Sequence, residues 1–333
     1  MKRRWIALCA ALTLVSTTLT GCTIGNTEIV LNMNSVGRNH VFSINGDRCT
    51  KEEARLYLCN YQNLYGSAYG IDLWDYDYSK LDEGETLEAY VKDVTLSELA
   101  NVMCMEQLAE QQELTLTEEE LDKVADAVEE YYDSLSRKER SYIGLDKNEL
   151  REFYEKYALA QKLYNNLIQG INEEVSDDEA RIIRIQQIFV KDKEIAQLVQ
   201  QKLTGGESFT TLASNYNEAD VIEKNLGRGV YPEEVDDVAF HLDDEEVSDM
   251  IETEDGYYFI KCLNKYDEQL TEANKENIIV KRRKEQFDDK FIEFVENSQF
   301  DLNEKVWENI KVDTSGDITT NSFFAIYEKY FTE

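Results

Sequence analysis

The stretch 184–263 limits what this chain can fold into more than any other part. It opens on an apolar run, Ile185-Gln186-Gln187-Ile188-Phe189-Val190, of strand length. A helix-like stretch, Asp192 to Leu203, follows and stops at Gly205-Gly206, where glycine relieves the helix C-terminus. Next come Gly206-Glu207-Ser208-Phe209-Thr210-Thr211-Leu212-Ala213, a glycine-bearing loop at Leu226-Gly227-Arg228-Gly229, and Ala239-Phe240. The block closes on Asp255-Gly256-Tyr257-Tyr258-Phe259-Ile260-Lys261.

Upstream, Val41-Phe42-Ser43-Ile44 alternates like a short strand and ends in an Asn45-Gly46 turn. Thr50-Lys51-Glu52-Glu53 has capping-box form and opens a helix with Ala54, Tyr57, Leu58, Tyr61 and Leu64 on one side. The same punctuation recurs at Thr117–Glu120, Asp146–Glu149 and Ser176–Glu179. Apolar residues at helical spacing follow the first two of these, and read as core. The region 41–178 is therefore a mainly helical domain, and 179–268 a separate α+β unit. Residues 269–312 supply a late helix, with Val280, Phe287, Phe291, Phe294 and Val295 apolar, that is expected to pack on the helical domain. Its basic cluster Lys281-Arg282-Arg283-Lys284 points to an internal partner in the acidic bundle. The tail 313–333 carries Phe323, Phe324, Ile326, Tyr327, Tyr330 and Phe331, too much aromatic surface for a free disordered end, and is expected to pack on its own body.

The first residues read as an address. Lys2-Arg3-Arg4 precedes an apolar stretch, Trp5 to Val15, too short to span a bilayer. Leu19-Thr20-Gly21-Cys22 looks like a bacterial lipobox, which implies a signal peptide at 1–21 and diacylglycerol on Cys22. Two acyl chains anchor a protein stably where one does not. Residues 22–40 then form a polar tether, and the body is expected on the extracytoplasmic face of the membrane of a bacterial, Gram-positive cell. Removing the three basic residues of the leader from a chain at −33 leaves about −36. That charge excludes nucleic acid as the main partner and favours basic, unfolded segments. Cys49, Cys59, Cys104 and Cys262 match no metal framework. Ten residues of helix hold Cys49 and Cys59 about 15 Å apart, beyond the roughly 7 Å reach of a disulfide. A bond from Cys104 to either neighbour stays open, with buried thiols the simpler state.

In order and spacing, the segments of 184–263 resemble the parvulin-type (PpiC-type) peptidyl-prolyl isomerases. A short strand, Thr50-Lys51-Glu52-Glu53 and a helical bundle ahead of that unit resemble the PrsA and SurA foldases. The resemblance implies an α+β architecture: a SurA-like helical chaperone domain beside a four-stranded antiparallel sheet with flanking helices. It implies no cofactor and no metal. Its partners would be unfolded or newly secreted proteins, with the membrane reached through the lipid on Cys22.

Rotating a prolyl amide crosses a barrier of about 18–20 kcal/mol set by resonance. The catalyst must hold the ring in an apolar pocket and bind the twisted amide more tightly than the planar one. The family does this with two histidines, an Asp or Cys, and a Met and Phe in the pocket. Here the two histidine positions fall on Gln187 and Tyr258, and the Asp or Cys position falls on Ala219 or Asp220. The pocket falls on Leu226, Tyr231, Val235 and Phe240. The chain's two histidines, His40 and His241, match neither role, and His241 is expected at the surface. Pro232, the one proline, sits in the lip of this cleft, occluding it or shaping its loop. Asp243-Asp244-Glu245-Glu246 lacks the alternation of a calcium loop and reads as a solvated turn.

These residues point to a lipid-anchored foldase or holdase whose parvulin-type cleft is substituted. An active isomerase with a new hydrogen-bond network is the alternative. A third reading, a lipoprotein binding a solute or fixed partner, would need a deep pocket between similar lobes, and no internal repeat supports it. Client identity and oligomeric state are not encoded legibly.

Overall fold

Asn45 and Gly46 both take positive φ, 52° and 101°, the conformation a two-residue hairpin turn needs. They fold strand β1 (His40–Ile44) back on β2 (Asp47–Thr50). The structure, a computed structural model, describes residues 39–69, 87–313 and 315–332, and the backbone of a small ribbon pairing Thr23–Ile24 with Thr27–Glu28. The leader, Cys22 and most of the tether lie outside the described residues.

Helix α1 (Lys51–Tyr69) starts where Thr50 and Glu53 cap each other: the Thr50 amide donates to Glu53 at 2.7 Å, and the Glu53 amide donates to the Thr50 hydroxyl at 3.1 Å. α2 spans Leu87–Gln111. Reciprocal caps also open α3 (Glu118–Ser134) at Thr117 and α5 (Lys147–Leu167) at Asp146. A further box, Ser136 with Glu139, opens α4 (Arg137–Ile143).

The described residues divide into two compact units, one within 1–169 plus 284–333 and the other 170–283. The second is wider at both ends than the expected 179–268. It holds α6 (Asp177–Ala180), β3 (Ile182–Val190), α7 (Lys193–Thr204), α8 (Phe209–Tyr216), β4 (Glu223–Gly227), α9 (Glu233–Ala239), β5 (Ile251–Glu252) and β6 (Tyr257–Asn264). Helix α10 (Glu268–Glu296) begins in it and ends in the helical unit, so 269–312 is not one packing segment. Thr271 and Asn274 bind its first half to the strand start, through the Ile182 amide and the Ala180 carbonyl, each at 3.0 Å. Its second half puts Phe287, Phe291 and Val295 into the helical core, whereas Val280 stays 57% exposed. The basic cluster also departs from expectation. Arg282 binds the Asn172 and Glu174 carbonyls and Glu179, Arg283 pairs with Glu173, and Lys284 with Asp288 one turn on. Residues 172–179, the segment entering the α+β unit, supply the partners of Arg282 and Arg283.

The rest of the helical unit is β7 (Phe300–Leu302), added to β1 in a β2-β1-β7 sheet, then α11 (Glu304–Glu308) and α12 (Phe323–Phe331). The aromatic tail is central rather than peripheral. Phe323 is fully buried, stacked on Tyr154 at 4.2 Å and ringed by Tyr57, Tyr131, Phe153 and Tyr157. Cys49, Cys59 and Cys104 sit in this core and Cys262 in the other unit, all as free thiols. Burial pushes the Cys104 thiol up to about 12.

The α+β unit is an antiparallel sheet in the order β4-β3-β6-β5. Its two faces carry separate cores. Ile183, Ile185 and Ile260 meet α9, while Ile188, Val190 and Phe259 meet α7 and α8. No helix among the described residues is long and apolar enough to cross a membrane.

Candidate functional site

Strand alternation puts Gln187 on the same face as Ile183 and Ile185, one step beyond the apolar pair, and only 3% of it is exposed. A polar side chain buried there must find partners. Its amide nitrogen donates to the Val221 carbonyl at 2.7 Å, and its amide oxygen accepts the Tyr231 hydroxyl. Both ends of Gln187 are therefore engaged. On the neighbouring strand Tyr258 lies opposite Phe189, with ring centroids 4.6 Å apart, and its ring is 5.4 Å from that of Tyr231. The Lys224 ammonium lies 4.8 Å above the Tyr231 ring.

Two further residues hold this cluster. Asn217 accepts the Phe189 amide at 2.9 Å and donates to the Ala219 carbonyl at 2.9 Å, pinning the loop that brings Val221 to Gln187. Asn217 follows directly on α8, a turn signal that could have been noticed in the sequence. Asp236, 9% exposed, accepts the Gly229 amide and keeps its other carboxylate oxygen buried without a partner. Nothing local distinguishes it among the acids of α9.

The other expected site residues separate. Asp220 is exposed and makes no hydrogen bond to Gln187 or Tyr258. Leu226 and Val235 are fully buried, and Phe240 is 3% exposed, all in the core beneath the sheet. Two guanidiniums cover the Phe240 ring, Arg181 at 5.2 Å and Arg228 at 4.4 Å. Pro232 is the N-cap of α9, its carbonyl accepting the Val235 and Asp236 amides at 2.9 and 3.0 Å, so it shapes the loop. His241 is exposed at the end of the same helix. In the 243–246 turn, Asp243 pairs with Lys265 at 2.7 Å and Glu245 with Lys261 at 2.6 Å.

Burial raises the Tyr231 phenol, with Asp236 adding to the rise and the Gln187 hydrogen bond opposing it. Burial also raises Tyr258, helped by Tyr231 and Asp255. Both hydroxyls stay protonated through the physiological range and act as donors, not bases. Tyr258 makes no hydrogen bond through its hydroxyl among the described residues, and so is the donor left for a ligand. An open groove of ≈ 560 Å³ in this unit is lined by Val238, Leu242, Val247 and Ile251, the last the cross-strand partner of Tyr258, and edged by Glu234 and Glu252. Among the described residues no three His, Cys, Asp or Glu side chains are placed to share a metal ion.

Comparison with known proteins puts a family on this unit: residues 172–276 match the PPIC-type PPIASE domain. The chain is 25% identical over 324 residues to a foldase protein PrsA of Caldanaerobacter subterraneus, covering 93% of this chain and 99% of that one. A PrsA of Geobacillus kaustophilus is 33% identical over 120 residues, which span 34% of this chain and 43% of the relative. Among solved structures, peptidylprolyl isomerase PrsA of Bacillus cereus is similar at 19% identity and a TM-score of 0.37, covering 91% of this chain and 100% of that one. The chain is PrsA-like, with a parvulin-type domain in an α+β fold.

Proposed function

We propose that this PrsA-like chain is a lipid-anchored extracytoplasmic foldase acting chiefly as a holdase for unfolded, newly secreted proteins. Its parvulin-type domain serves as a peptide-binding or spacing module with weak or no isomerase chemistry. The end-to-end alignment with a PrsA foldase supports the general role. The Leu19-Thr20-Gly21-Cys22 pattern supports the anchor. One observation carries the division of labour: the Tyr231 hydroxyl is bound to Gln187 and its ring packs beside Tyr258, so three of the expected site residues are engaged with one another. With Leu226, Val235 and Phe240 packed as core, the apolar walls of the cleft face inward.

The active-isomerase reading keeps one point in its favour, the uncommitted Tyr258 hydroxyl, which could donate to a twisting carbonyl. One pair of assays on the chain without its leader decides between the two readings. Aggregation of a reduced client should be suppressed, while cis/trans exchange of short Xaa-Pro peptides, followed by NMR, should not accelerate. Accelerated exchange that disappears in Tyr258→Ala would overturn the assignment and restore the isomerase. Palmitate labelling that persists in Cys22→Ala would refute the anchor.

A further inference from the structure

Among the described residues, the large apolar side chains left most open to solvent all lie within 170–283, with Val230 at 58% and Val280 at 57% exposure leading them. Single exposed apolar residues are ordinary, but Val247 is not isolated. It lines the open groove of ≈ 560 Å³ together with Val238, Leu242, Met250 and Ile251. One wall comes from α9, where Glu234 and Val238 stand one turn apart and so share a face. The other is the chain from Glu246 to Glu252, and it is fixed from behind. The Ser248 amide donates to the Ile260 carbonyl at 2.8 Å, the Ile260 amide donates to the Ser248 hydroxyl at 2.9 Å, and the Met250 amide donates to Gln200 of α7 at 2.7 Å.

The groove's rim is acidic, carrying Glu234, Glu246, Asp249 and Glu252, all exposed. Two of these are engaged: Glu246 accepts the Asp243 amide at 2.7 Å, and Glu252 accepts the Tyr257 hydroxyl at 3.2 Å with the Lys193 ammonium 3.7 Å away. The carboxylates of Glu234 and Asp249 make no hydrogen bond or ion pair among the described residues. Strand β5, at the end of this wall, closes the sheet order and pairs with β6 alone. None of Gln187, Tyr231 and Tyr258 lines the groove, so it is a separate surface that adjoins theirs through Ile251.

We infer that this groove binds an extended segment of an unfolded client, apolar with a lysine or arginine beside the apolar side chain. The apolar side chain lies over Val238, Val247 and Ile251, and the cation meets Glu234 and Asp249. Burial of apolar surface supplies the affinity, and the carboxylates select the sign of the charge that comes with it. A volume of ≈ 560 Å³ is within the range of about 300–1,000 Å³ usual for ligand sites. An anionic segment would bring like charge to the rim, and so would a second copy of a chain at −33. No part of this recognition calls for a proline. The inference rests on the peptide-binding reading of the parvulin-type domain and deepens it by naming the surface and the kind of segment it takes.

The test uses the chain without its leader and two labelled, proline-free apolar peptides that differ only in carrying two lysines or two glutamates, with binding read by fluorescence anisotropy. The lysine peptide is expected to bind about tenfold more tightly, and added salt should shrink the gap. Glu234→Gln combined with Asp249→Asn should remove most of the preference, whereas Val247→Ser should weaken both peptides alike. All three side chains are exposed, so these variants should keep the native amide spectrum. Equal binding of the two peptides, or a lysine preference that survives the double variant with its amide spectrum unchanged, overturns the site. A dimer that Val247→Asp disrupts would give the groove to a second copy and overturn it as well. Client aggregation measured alongside separates the two ideas. Suppression without lysine preference removes this groove alone, whereas preference without suppression supports the groove and removes the holdase reading.

Discussion

Replacing Glu98 with glutamine is expected to stabilise the helical unit, and to do so only above acidic pH. Burial raises the Glu98 carboxyl from 4.5 to about 7. At 1.36 kcal/mol per pKa unit, a rise of that size corresponds to about 3 kcal/mol held against the charged form. The sign follows from a folded value above the unfolded one. The favourable contribution of the protonated acid is complete below pH 4.5 and is lost as pH rises through about 7. Glutamine never ionises, so it escapes that loss. The phenols on which the Glu98 charge acts, those of Tyr57, Tyr61 and Tyr157, are all raised and stay neutral across this window. The variant should therefore match the native chain near pH 4.5 and exceed it by up to about 3 kcal/mol at pH 8. Urea unfolding followed by tryptophan emission reads the right unit, because Trp5, Trp74 and Trp307 all lie outside 170–283. A variant no more stable than the native chain at pH 8 would refute the reasoning, since it would mean the carboxylate already has a partner.

Three other perturbations follow from packing. Tyr231→Phe leaves the buried Gln187 amide oxygen without its donor and should cost the α+β unit about 1–3 kcal/mol, measurable as lost amide protection along β3. Gly256→Ala is expected to cost more than about 2 kcal/mol, read as a lower melting temperature: at φ +150° its new Cβ would lie 2.7 Å from both the Phe189 ring and the Val190 carbonyl. Phe323→Ala empties a fully buried site among six aromatic rings and should cost about 3–5 kcal/mol, seen as loss of the Trp307 unfolding baseline; a melt unchanged by this substitution would show that the tail is dispensable.

The outcome at each position follows the range of the interaction behind it. Thr50, Thr117 and Asp146 were legible as helix starts because a capping box is complete within four residues, and Asn45-Gly46 was legible because turn dihedrals are local. The α+β unit was legible through strand period and glycine spacing, which reflect which face each side chain takes. The same locality explains what stayed hidden. Whether Lys281 to Lys284 meet the bundle or residues 172–179 depends on where α10 leaves one unit for the other, a fact of long-range packing. Phe323 reads as a tail residue until chain ends some 170 residues from α5 are brought together around it.

By itself, then, the sequence determined the short-range elements: caps, turns, strand faces and the order of parts that marks a parvulin-type domain. Only the tertiary structure decided that Tyr231 is held by Gln187 and that Leu226 and Val235 belong to the core. It also decided that Glu98, periodic with its apolar neighbours, has no compensating charge among the described residues. The physical reason is that hydrogen bonding within a turn or helix is settled by neighbours in the chain, whereas burial and electrostatic compensation are settled by residues that only folding brings near.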